Sequence, residues 1–353
     1  MTGRAVAAFA ALAVLSAVCT PGQTNQPSTA RPKDGRVTAG CADLNPVLNF
    51  LPSPASTSNL AIIKLHGTPG FVIADVADPL HPRRIQTYAE GSRPFEAGTI
   101  PQFANADEIA YFFGGAYIRE SMLGYAPTVV ARPCTNPYTF DISSDGTVMA
   151  YVTSDSKYSY LHLVRNFEDR IVSAMPPEPQ AHEPACVARL CGVLFSPNGD
   201  FIASVEWPGR PLRIWTAEGK ALKVADASQA QQPAWSGGSL FWRDARGVER
   251  WQNGTQSLFL SGVNWTHPSA SPAGKQIVYG VQDSAGVAHV QVVDLETATA
   301  TEIAQSRTSP TFVNARFVFY RADNGRSFVY DMRTKKETES TIEAIYDVWP
   351  HGA

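Results

Sequence analysis

A short repeated unit constrains the fold of this chain more than any other feature of its sequence. In most copies a proline is followed two places later by an aromatic or apolar anchor residue, then by a tight polar turn and apolar runs. The anchors are Phe103, Ile142, Phe195, Trp235, Ala270, Phe312 and Trp349. Their spacings are 39, 53, 40, 35, 42 and 37 residues. Seven anchors at such a period, with several strands per unit, predict a β-propeller of seven blades.

The segments that follow the turns have strand composition. Runs such as Phe201–Val205, Ile277–Tyr279 and Phe317–Tyr320 are rich in β-branched and aromatic residues and are bounded by Gly, Pro, Asn or Asp. No comparable window has a 3.6-residue apolar period. An insertion at 176–191 explains the one long spacing. The predicted fold class is therefore all-β, a single seven-bladed propeller of four-stranded antiparallel blades.

The first blade lacks an inner strand at its start. Leu60–Leu65 and Phe71–Val76 are predicted as its second and third strands. Asp294 to Phe312 and Asp331 to Trp349 both span 18 residues, which places Ile345–Trp349 as the missing inner strand. Pro46–Phe50 competes for that place. Either strand would remove the exposed edge of the first blade, so edge protection does not decide between the two. We favour the C-terminal strand because of its matched spacing.

The N-terminal segment is predicted to direct export. Ala5–Val18 is an almost wholly apolar stretch of 14 residues after Arg4, too short to span a bilayer and typical of a secretory signal. Cys19 follows, and the residues before it match the lipoprotein pattern only in part, so lipidation of Cys19 and simple cleavage both remain open. Residues 1–19 are the predicted signal, 20–40 a polar disordered linker and 41–353 the propeller. We expect a periplasmic, secreted or membrane-anchored protein.

Four cysteines remain after Cys19, and an oxidising compartment would pair them. Four cysteines allow three pairings. Cys186 and Cys191 lie close together in a proline-rich loop, which favours a local disulfide and leaves Cys41 with Cys134. The rival hypothesis, a metal site, lacks a CxxC motif or paired Cys and His spacing. No metal and no cofactor is predicted.

The best copies of the unit are Phe195–Val205 and Ser269–Tyr279, which contain a Ser-Pro-x-Gly turn before an apolar run. This unit resembles the WD40-like repeat of TolB-type β-propellers over about residues 59–350, although only two or three copies are close to the family pattern. The resemblance implies the fold. It does not imply one function, because such propellers serve as periplasmic scaffolds, as substrate filters on peptidases and occasionally as lyases.

Charge excludes one class of partner. The chain has 17% charged residues and a formal net charge of −3, against about 25% charged residues in an average domain. Nucleic-acid binding needs clustered Lys and Arg, so a dominant electrostatic nucleic-acid binder is excluded. After residue 20 no apolar run reaches 18 residues, so no membrane span is predicted.

The expected binding surface is the face opposite the Ser-Pro-x-Gly turns, where loops on a rigid scaffold carry function. The candidate binding residues on it are Trp207, Arg210, Arg243, Arg246, Trp265, His267 and Arg321. The tryptophans would stack on a sugar or anchor a peptide, and the arginines would hold an anion or an acidic partner. Rim packing and solvated charges are the alternatives. His66 shares this face with His267 but lacks the companions that a metal requires.

These features predict an exported, monomeric, non-catalytic propeller that binds a protein partner or a cell-envelope component through its loop face. The alternative is a propeller enzyme, a polysaccharide lyase or glycoside hydrolase, acting at the channel mouth. No catalytic residue is predicted, because the sequence has no Gly-x-Ser-x-Gly elbow, phosphate loop or Rossmann fingerprint.

Overall fold

The structure is a computed structural model in which most of the chain after residue 58 is described. The described residues are 59–89, 91–92, 94, 101–123, 127–131, 139–154, 158–166, 168–175, 190–206, 212–222 and 230–349. The predicted signal at 1–19, the predicted linker at 20–40 and the competing strand Pro46–Phe50 lie outside them.

The described residues contain 28 β-strands and no helix. In chain order these are β1 (Leu60–Leu65), β2 (Phe71–Asp75), β3 (Arg83–Tyr88), β4 (Gln102–Asn105), β5 (Glu108–Phe113), β6 (Ala116–Ser121), β7 (Thr128–Ala131), β8 (Thr139–Ile142), β9 (Val148–Ser154), β10 (Ser159–Arg165), β11 (Glu168–Met175), β12 (Leu190–Phe195), β13 (Phe201–Glu206) and β14 (Leu212–Thr216). The second half comprises β15 (Ala221–Leu222), β16 (Gln231–Ser236), β17 (Ser239–Asp244), β18 (Gly247–Gln252), β19 (Thr255–Ser261), β20 (Thr266–Ala270), β21 (Gln276–Gln282), β22 (Ala288–Asp294), β23 (Ala300–Gln305), β24 (Arg307–Phe312), β25 (Phe317–Ala322), β26 (Ser327–Asp331), β27 (Lys336–Glu339) and β28 (Ile342–Trp349).

The strands form seven four-stranded antiparallel sheets, which are the blades of a β-propeller. Blade 1 has the order β28-β1-β2-β3, and blades 2 to 7 each use four consecutive strands from β4 onward. The predicted fold class is confirmed. The 53-residue spacing lies between blades 3 and 4, at the position of the predicted insertion.

The C-terminal strand closes the ring, as predicted. Strand β28 pairs antiparallel with β1, from Leu60 opposite Trp349 to Leu65 opposite Ile342. The register contains two irregularities, because Tyr346 and Glu343 have no partner residue on β1. Val348, opposite Ala61, packs in the seam with blade 7, just as the other anchors pack against the preceding blade, whereas Trp349 packs against blade 2. Val348 therefore takes the place of the anchor in blade 1. The sequence assignment of Trp349 as that anchor was one residue too far.

The core lies between the blades rather than around a single centre. Seven clusters of buried side chains fill the seven seams, one between each pair of neighbouring blades. Trp215 lies in the seam of blades 3 and 4, and Trp235 and Trp251 lie in the next seam. All three tryptophans therefore pack between blades. Sheets that are covered on both faces have little room for charge, which accounts for the charge-poor composition.

The repeated serine and glycine of the turns have defined roles. Ser143 and Ser196 lie directly after their anchors, and their hydroxyls accept the backbone N–H of Val148 and Phe201 across the hairpin at 3.0 and 2.9 Å. Gly146 has a φ of 69°, and a Cβ there would lie 2.4 Å from the carbonyl oxygen of Ala104 in blade 2. The turn therefore needs glycine both for its backbone conformation and for the close approach of the neighbouring blade.

Candidate functional site

The inner strands surround a central channel that contains a cavity of about 310 Å³. Blades 1 to 6 all contribute inner-strand residues to its lining. The cavity reaches the turn face at Ser144 and Pro197, and towards the loop face it reaches Pro233 and Pro268. Its volume is at the lower end of the range of about 300–1,000 Å³ that is typical of ligand pockets.

One side of the cavity is lined by hydrogen-bond acceptors from blades 1 to 3. Asp347 Oδ2 accepts the backbone N–H of Phe103 at 2.7 Å, and Asp141 Oδ2 accepts that of Phe195 at 2.6 Å. The Oδ1 atom of each aspartate accepts the N–H of the following residue at 2.9 Å. Each carboxylate thus joins its own blade to the next one and is held in a fixed position at the channel.

Gln102 lies between these two aspartates in the order of the blades. Its side-chain nitrogen Nε2 is 3.4 Å from the carbonyl oxygen of Phe140, which can only accept a hydrogen bond. The amide oxygen Oε1 therefore points away from Phe140. This oxygen is buried and has no hydrogen-bond donor among the residues that the structure describes. Asp347, Gln102 and Asp141 thus line the cavity from three consecutive blades.

The opposite side of the cavity is apolar. It is formed by blades 4 to 6, and its residues include Leu194, Phe195, Pro197, Pro233, Trp235 and Pro268. The indole N–H of Trp235 donates to the carbonyl oxygen of Leu194 at 3.1 Å. The rest of this indole stacks on Phe201 and meets Trp251 edge-on. Trp235 is thereby fixed in orientation between blades 4 and 5.

On the loop face, three adjacent blades begin their inner strands with the same strained backbone. Gln232, His267 and Ser309 have φ values of 50°, 48° and 51°, and each precedes the proline of its repeat. A residue before proline favours extended backbone, and a left-handed residue other than glycine costs about 1–3 kcal/mol. At each position the strand pairing also shifts register. The side chain of Gln232 accepts the backbone N–H of His267 at 3.2 Å, which links blades 5 and 6.

Two of the predicted arginines are engaged within blades 5 and 6. Arg243 Nη1 donates to the carbonyl oxygen of Trp265 at 3.1 Å, and its other terminal nitrogen bonds the side chain of Gln231. Burial lowers the pKa of Arg243 below its ordinary value. Arg246 Nη2 lies 2.9 Å from the buried carboxylate of Glu249. These contacts hold both arginine side chains against the protein, so a partner that binds either arginine would have to compete with them.

Arg321 differs from them, because it is exposed and has no ion pair within 4 Å among the described residues. It lies close to the pair that Lys64 and Glu343 form at 2.7 Å where blade 1 is closed. The hydrogen bond from Lys64 lowers the pKa of Glu343, and Arg321 acts in the same direction. His66 Nδ1 is 4.0 Å from the other oxygen of Glu343. Three basic side chains thus surround one carboxylate.

The remaining predicted site residues divide into buried and undescribed ones. Trp265 has no exposed surface and packs between blades 5 and 6, with its ring 5.7 Å from that of Tyr279. In this position its indole has no face to offer a ligand, which is contrary to the prediction of Trp265 as a binding residue. Trp207 and Arg210 lie outside the described residues.

The predicted cysteine chemistry also falls outside the described part of the chain. Cys19, Cys41, Cys134 and Cys186 belong to undescribed segments. Cys191 lies in strand β12 rather than in the loop as predicted, and only its backbone is described. Among the described residues no group of three or more His, Cys, Asp or Glu could hold a metal ion. No helix of the described part could cross a membrane.

Solved structures that are similar to this chain share its propeller fold. A puromycin-hydrolyzing peptidase from Mycobacterium tuberculosis has a TM-score of 0.52 and 12% identity over 84% of this chain and 57% of its own. An oligogalacturonate lyase from Vibrio parahaemolyticus has a TM-score of 0.50 and 10% identity over 83% of each chain. TolB from Acinetobacter baumannii has a TM-score of 0.44 and 14% identity over 81% of this chain and 79% of its own. At these identities the likeness concerns the fold alone.

No protein-family model matches the chain, and no curated protein sequence matches it. The propeller is therefore established by its seven blades, and membership of the TolB-type family stays a prediction from the repeat.

Proposed function

We propose that this chain is an exported β-propeller that binds a protein partner or a cell-envelope component through its loop face and does not catalyse a reaction. The binding surface is an arc of the loop face, defined by Gln232, His267, Ser309, Arg321, Lys64 and His66. Export through the segment 1–19, lipidation or cleavage at Cys19, the two disulfides and the monomeric state are parts of the same hypothesis.

The observation that carries this proposal is the strained rim of blades 5 to 7. Three left-handed residues at equivalent places are costly, and such conformations cluster at ligand-binding positions. Gln232 and His267 are exposed there, so a partner can reach them. Blades 7 and 1 extend the rim with Arg321, Lys64 and His66. Two permanent cations against one carboxylate, Glu343, favour a partner that carries carboxylates.

Site-specific photocrosslinking in the native host tests the proposal. A photoreactive residue at His267 or Arg321 should give a discrete adduct, whereas the same residue at Lys275, which is exposed on the turn face, should not. Replacement of Arg321 by glutamate should reduce the adduct formed from His267, since the partner is acidic. Equal adducts from Lys275, or no adduct from either loop-face position, would contradict the proposal.

The enzymatic alternative is tested separately. Purified full-length protein is incubated with oligogalacturonate and other acidic polysaccharides, and unsaturated products are followed by ultraviolet absorbance. The proposal expects no product above a heat-treated control. Turnover that is lost on replacement of a channel residue would replace the binding hypothesis by the lyase hypothesis.

A further inference from the structure

His66 lies between two glutamates where the closing strand meets blade 1. Its backbone N–H donates to the carbonyl oxygen of Thr341 at 3.0 Å. In the sequence Thr341 is midway between Glu339, the last residue of β27, and Glu343 on β28. The imidazole Nδ1 of His66 is 4.0 Å from Glu343 Oε2, and 45% of the side chain is exposed. The backbone of His66 is therefore fixed at the junction of blades 7 and 1, while its ring stays within reach of a partner.

Each of the two glutamates is paired with a permanent cation. Lys64 Nζ donates to Glu343 Oε1 at 2.7 Å. Arg326 Nε donates to Glu339 Oε1 at 2.8 Å. These hydrogen bonds lower the pKa values of both glutamates, and the charge of His66 acts in the same direction on each of them. Both carboxylates therefore stay ionised well below neutral pH and do not titrate in the range in which a histidine does.

The loop of blade 7 beside His66 carries two further charged residues, Arg321 at the end of β25 and Asp323 on the turn that follows. Both are exposed. Arg321 and Tyr346 also act electrostatically on Lys64. Histidine is the one side chain whose ordinary pKa puts its change of charge between pH 5 and 8. Protonation of His66 therefore adds one positive charge to a group whose other members keep theirs.

We propose that His66 makes the binding of an acidic partner to the loop-face arc depend on pH, with tighter binding in acid. The inference rests on the proposed function, because it concerns the same surface and the same carboxylate-bearing partner. A partner carboxylate at Lys64 and Arg321 lies close to His66 and favours the protonated ring. Because binding and protonation are linked, protonation of His66 favours the bound partner to the same extent.

The direction and size of the effect follow from this linkage. The complex holds the proton on His66 more tightly than the free protein does. The gain in affinity is therefore complete at a pH below the titration midpoint of the free protein, and it is lost as the pH rises through the midpoint of the complex. Because water screens these exposed groups, we expect the midpoint to rise by about 0.5–1, which corresponds to about 3- to 10-fold in affinity.

NMR titration of the full-length protein in the presence and absence of hexa-aspartate tests the inference. The carboxylates of this probe stay ionised from pH 5.5 to 8.0, so its own charge is constant over that range. The imidazole signal of His66, assigned by its loss in His66→Gln, should titrate at a higher pH when the peptide is present. His81, which pairs with Asp78 on the turn face, is the internal control and should not respond to the peptide.

The affinity for hexa-aspartate at the two ends of this range measures the same linkage independently. At constant, low ionic strength the wild-type protein should bind the peptide about 3- to 10-fold more tightly at pH 5.5 than at pH 8.0. His66→Gln should abolish most of this ratio, and the control His81→Gln should retain it. Arg321→Gln should weaken binding at both pH values but keep the ratio, because it removes a permanent cation.

The possible outcomes separate this inference from the proposed function. A ratio that is lost in His66→Gln, together with the higher titration midpoint of His66 in the complex, supports the inference. Equal affinities at both pH values, or a ratio that survives in His66→Gln, would overturn the role of His66 and leave the acidic partner in place. Failure of hexa-aspartate to bind at either pH would overturn the preference of the arc for carboxylates, and the inference with it.

Discussion

Carboxylates at the inner ring of the propeller and carboxylates at its outer edge make different contacts. At the inner ring, Asp347 and Asp141 accept backbone N–H groups of the next blade. At the outer edge, Asp331 pairs with Arg316 at 2.5 Å and Glu337 with Arg307 at 2.8 Å, and all four residues belong to blade 7. The inner carboxylates therefore join blades, whereas the outer ones hold together strands of a single blade.

This difference shows that position in the blade, rather than residue type, decides what an aspartate does. The residue just before the anchor faces the next blade and the channel, so its side chain serves both the seam and the cavity wall. Asp331, on the third strand of blade 7, is far from the channel and pairs with Arg316 instead. The predictions below test this division, from the largest expected effect to the smallest.

The closing strand should be the most sensitive part of the inner ring. Trp349 is 5% exposed and packs against Phe103 of blade 2. Replacement of Trp349 by alanine should lower the free energy of unfolding by about 3–5 kcal/mol, because a large buried side chain is lost. The control is the replacement of Tyr346, which is 37% exposed on the same strand, by alanine. This change should lower the free energy of unfolding much less. Guanidinium denaturation measures both, and equal losses would show that ring closure does not depend on the seam.

Removal of an inner carboxylate should come next. Asp347→Ala leaves the N–H of Phe103 without this acceptor, and the free energy of unfolding should fall by about 1–3 kcal/mol. The matched outer change, Asp331→Ala, should cost less, because its pair with Arg316 faces solvent. The comparison between inner and outer carboxylates fails if urea denaturation ranks these two variants in the reverse order.

A third seam uses a neutral acceptor at the same place. The hydroxyl of Ser269 accepts the N–H of Phe312 at 3.1 Å, between blades 6 and 7. Ser269→Ala should lower the free energy of unfolding by about 0.5–1.5 kcal/mol, less than loss of an inner carboxylate, since neutral hydrogen bonds are weaker. Thermal melts of this variant beside Asp347→Ala check the order. A larger loss from Ser269→Ala would mean that charge adds nothing to the seams.

Ion pairs at the outer edge should make the stability of the protein depend on pH. The hydrogen bond that His289 donates to Asp283, together with Glu302, raises the pKa of His289 in blade 6. The contribution of His289 to the free energy of unfolding is therefore complete below its unfolded pKa of about 6.5. It is lost as the pH rises through the higher pKa of the folded state. His289→Gln should reduce stability at pH 5 more than at pH 8. An unchanged difference across this range would contradict the assignment.

The contribution of Asp331 to stability should depend on pH in the opposite direction. Its hydrogen bond to Arg316 holds the pKa of Asp331 well below the ordinary value. The contribution is present above the unfolded pKa of about 4 and is lost as the pH falls. The difference between wild type and Asp331→Asn should therefore be full at pH 7 and shrink in acid. A constant difference down to pH 3 would place the effect outside this ion pair.

Blade number, turns and closure could be predicted because they are encoded locally and repeatedly. The Ser-Pro-x-Gly turns and the anchors recur at one period, and the matched spacing to the C-terminus identified β28. The register of β28 could not be predicted. The unpaired residues Glu343 and Tyr346 each shift the pairing by one residue, and spacing alone does not reveal such irregularities.

The candidate site was only partly visible in the sequence. Asp141, Asp347 and Gln102 were missed. Asp141 and Gln102 directly precede the anchors of their blades, and alignment of that position across the repeats would have grouped them. Asp347 could be added only after the structure moved the anchor of blade 1 from Trp349 to Val348. Trp265 shows the opposite error. It lies beside a loop in the sequence, yet the seam between blades 5 and 6 covers it completely. Burial of this kind depends on the neighbouring blade, which a local pattern does not contain.

The division between inner and outer carboxylates is tested most directly by native-state hydrogen exchange at the backbone N–H of Phe103, which Asp347 accepts from the neighbouring blade. We predict that Asp347→Ala accelerates exchange at Phe103, whereas Asp331→Ala, which removes an outer carboxylate, leaves it unchanged. Equal acceleration by both variants, or none by Asp347→Ala, would contradict this account.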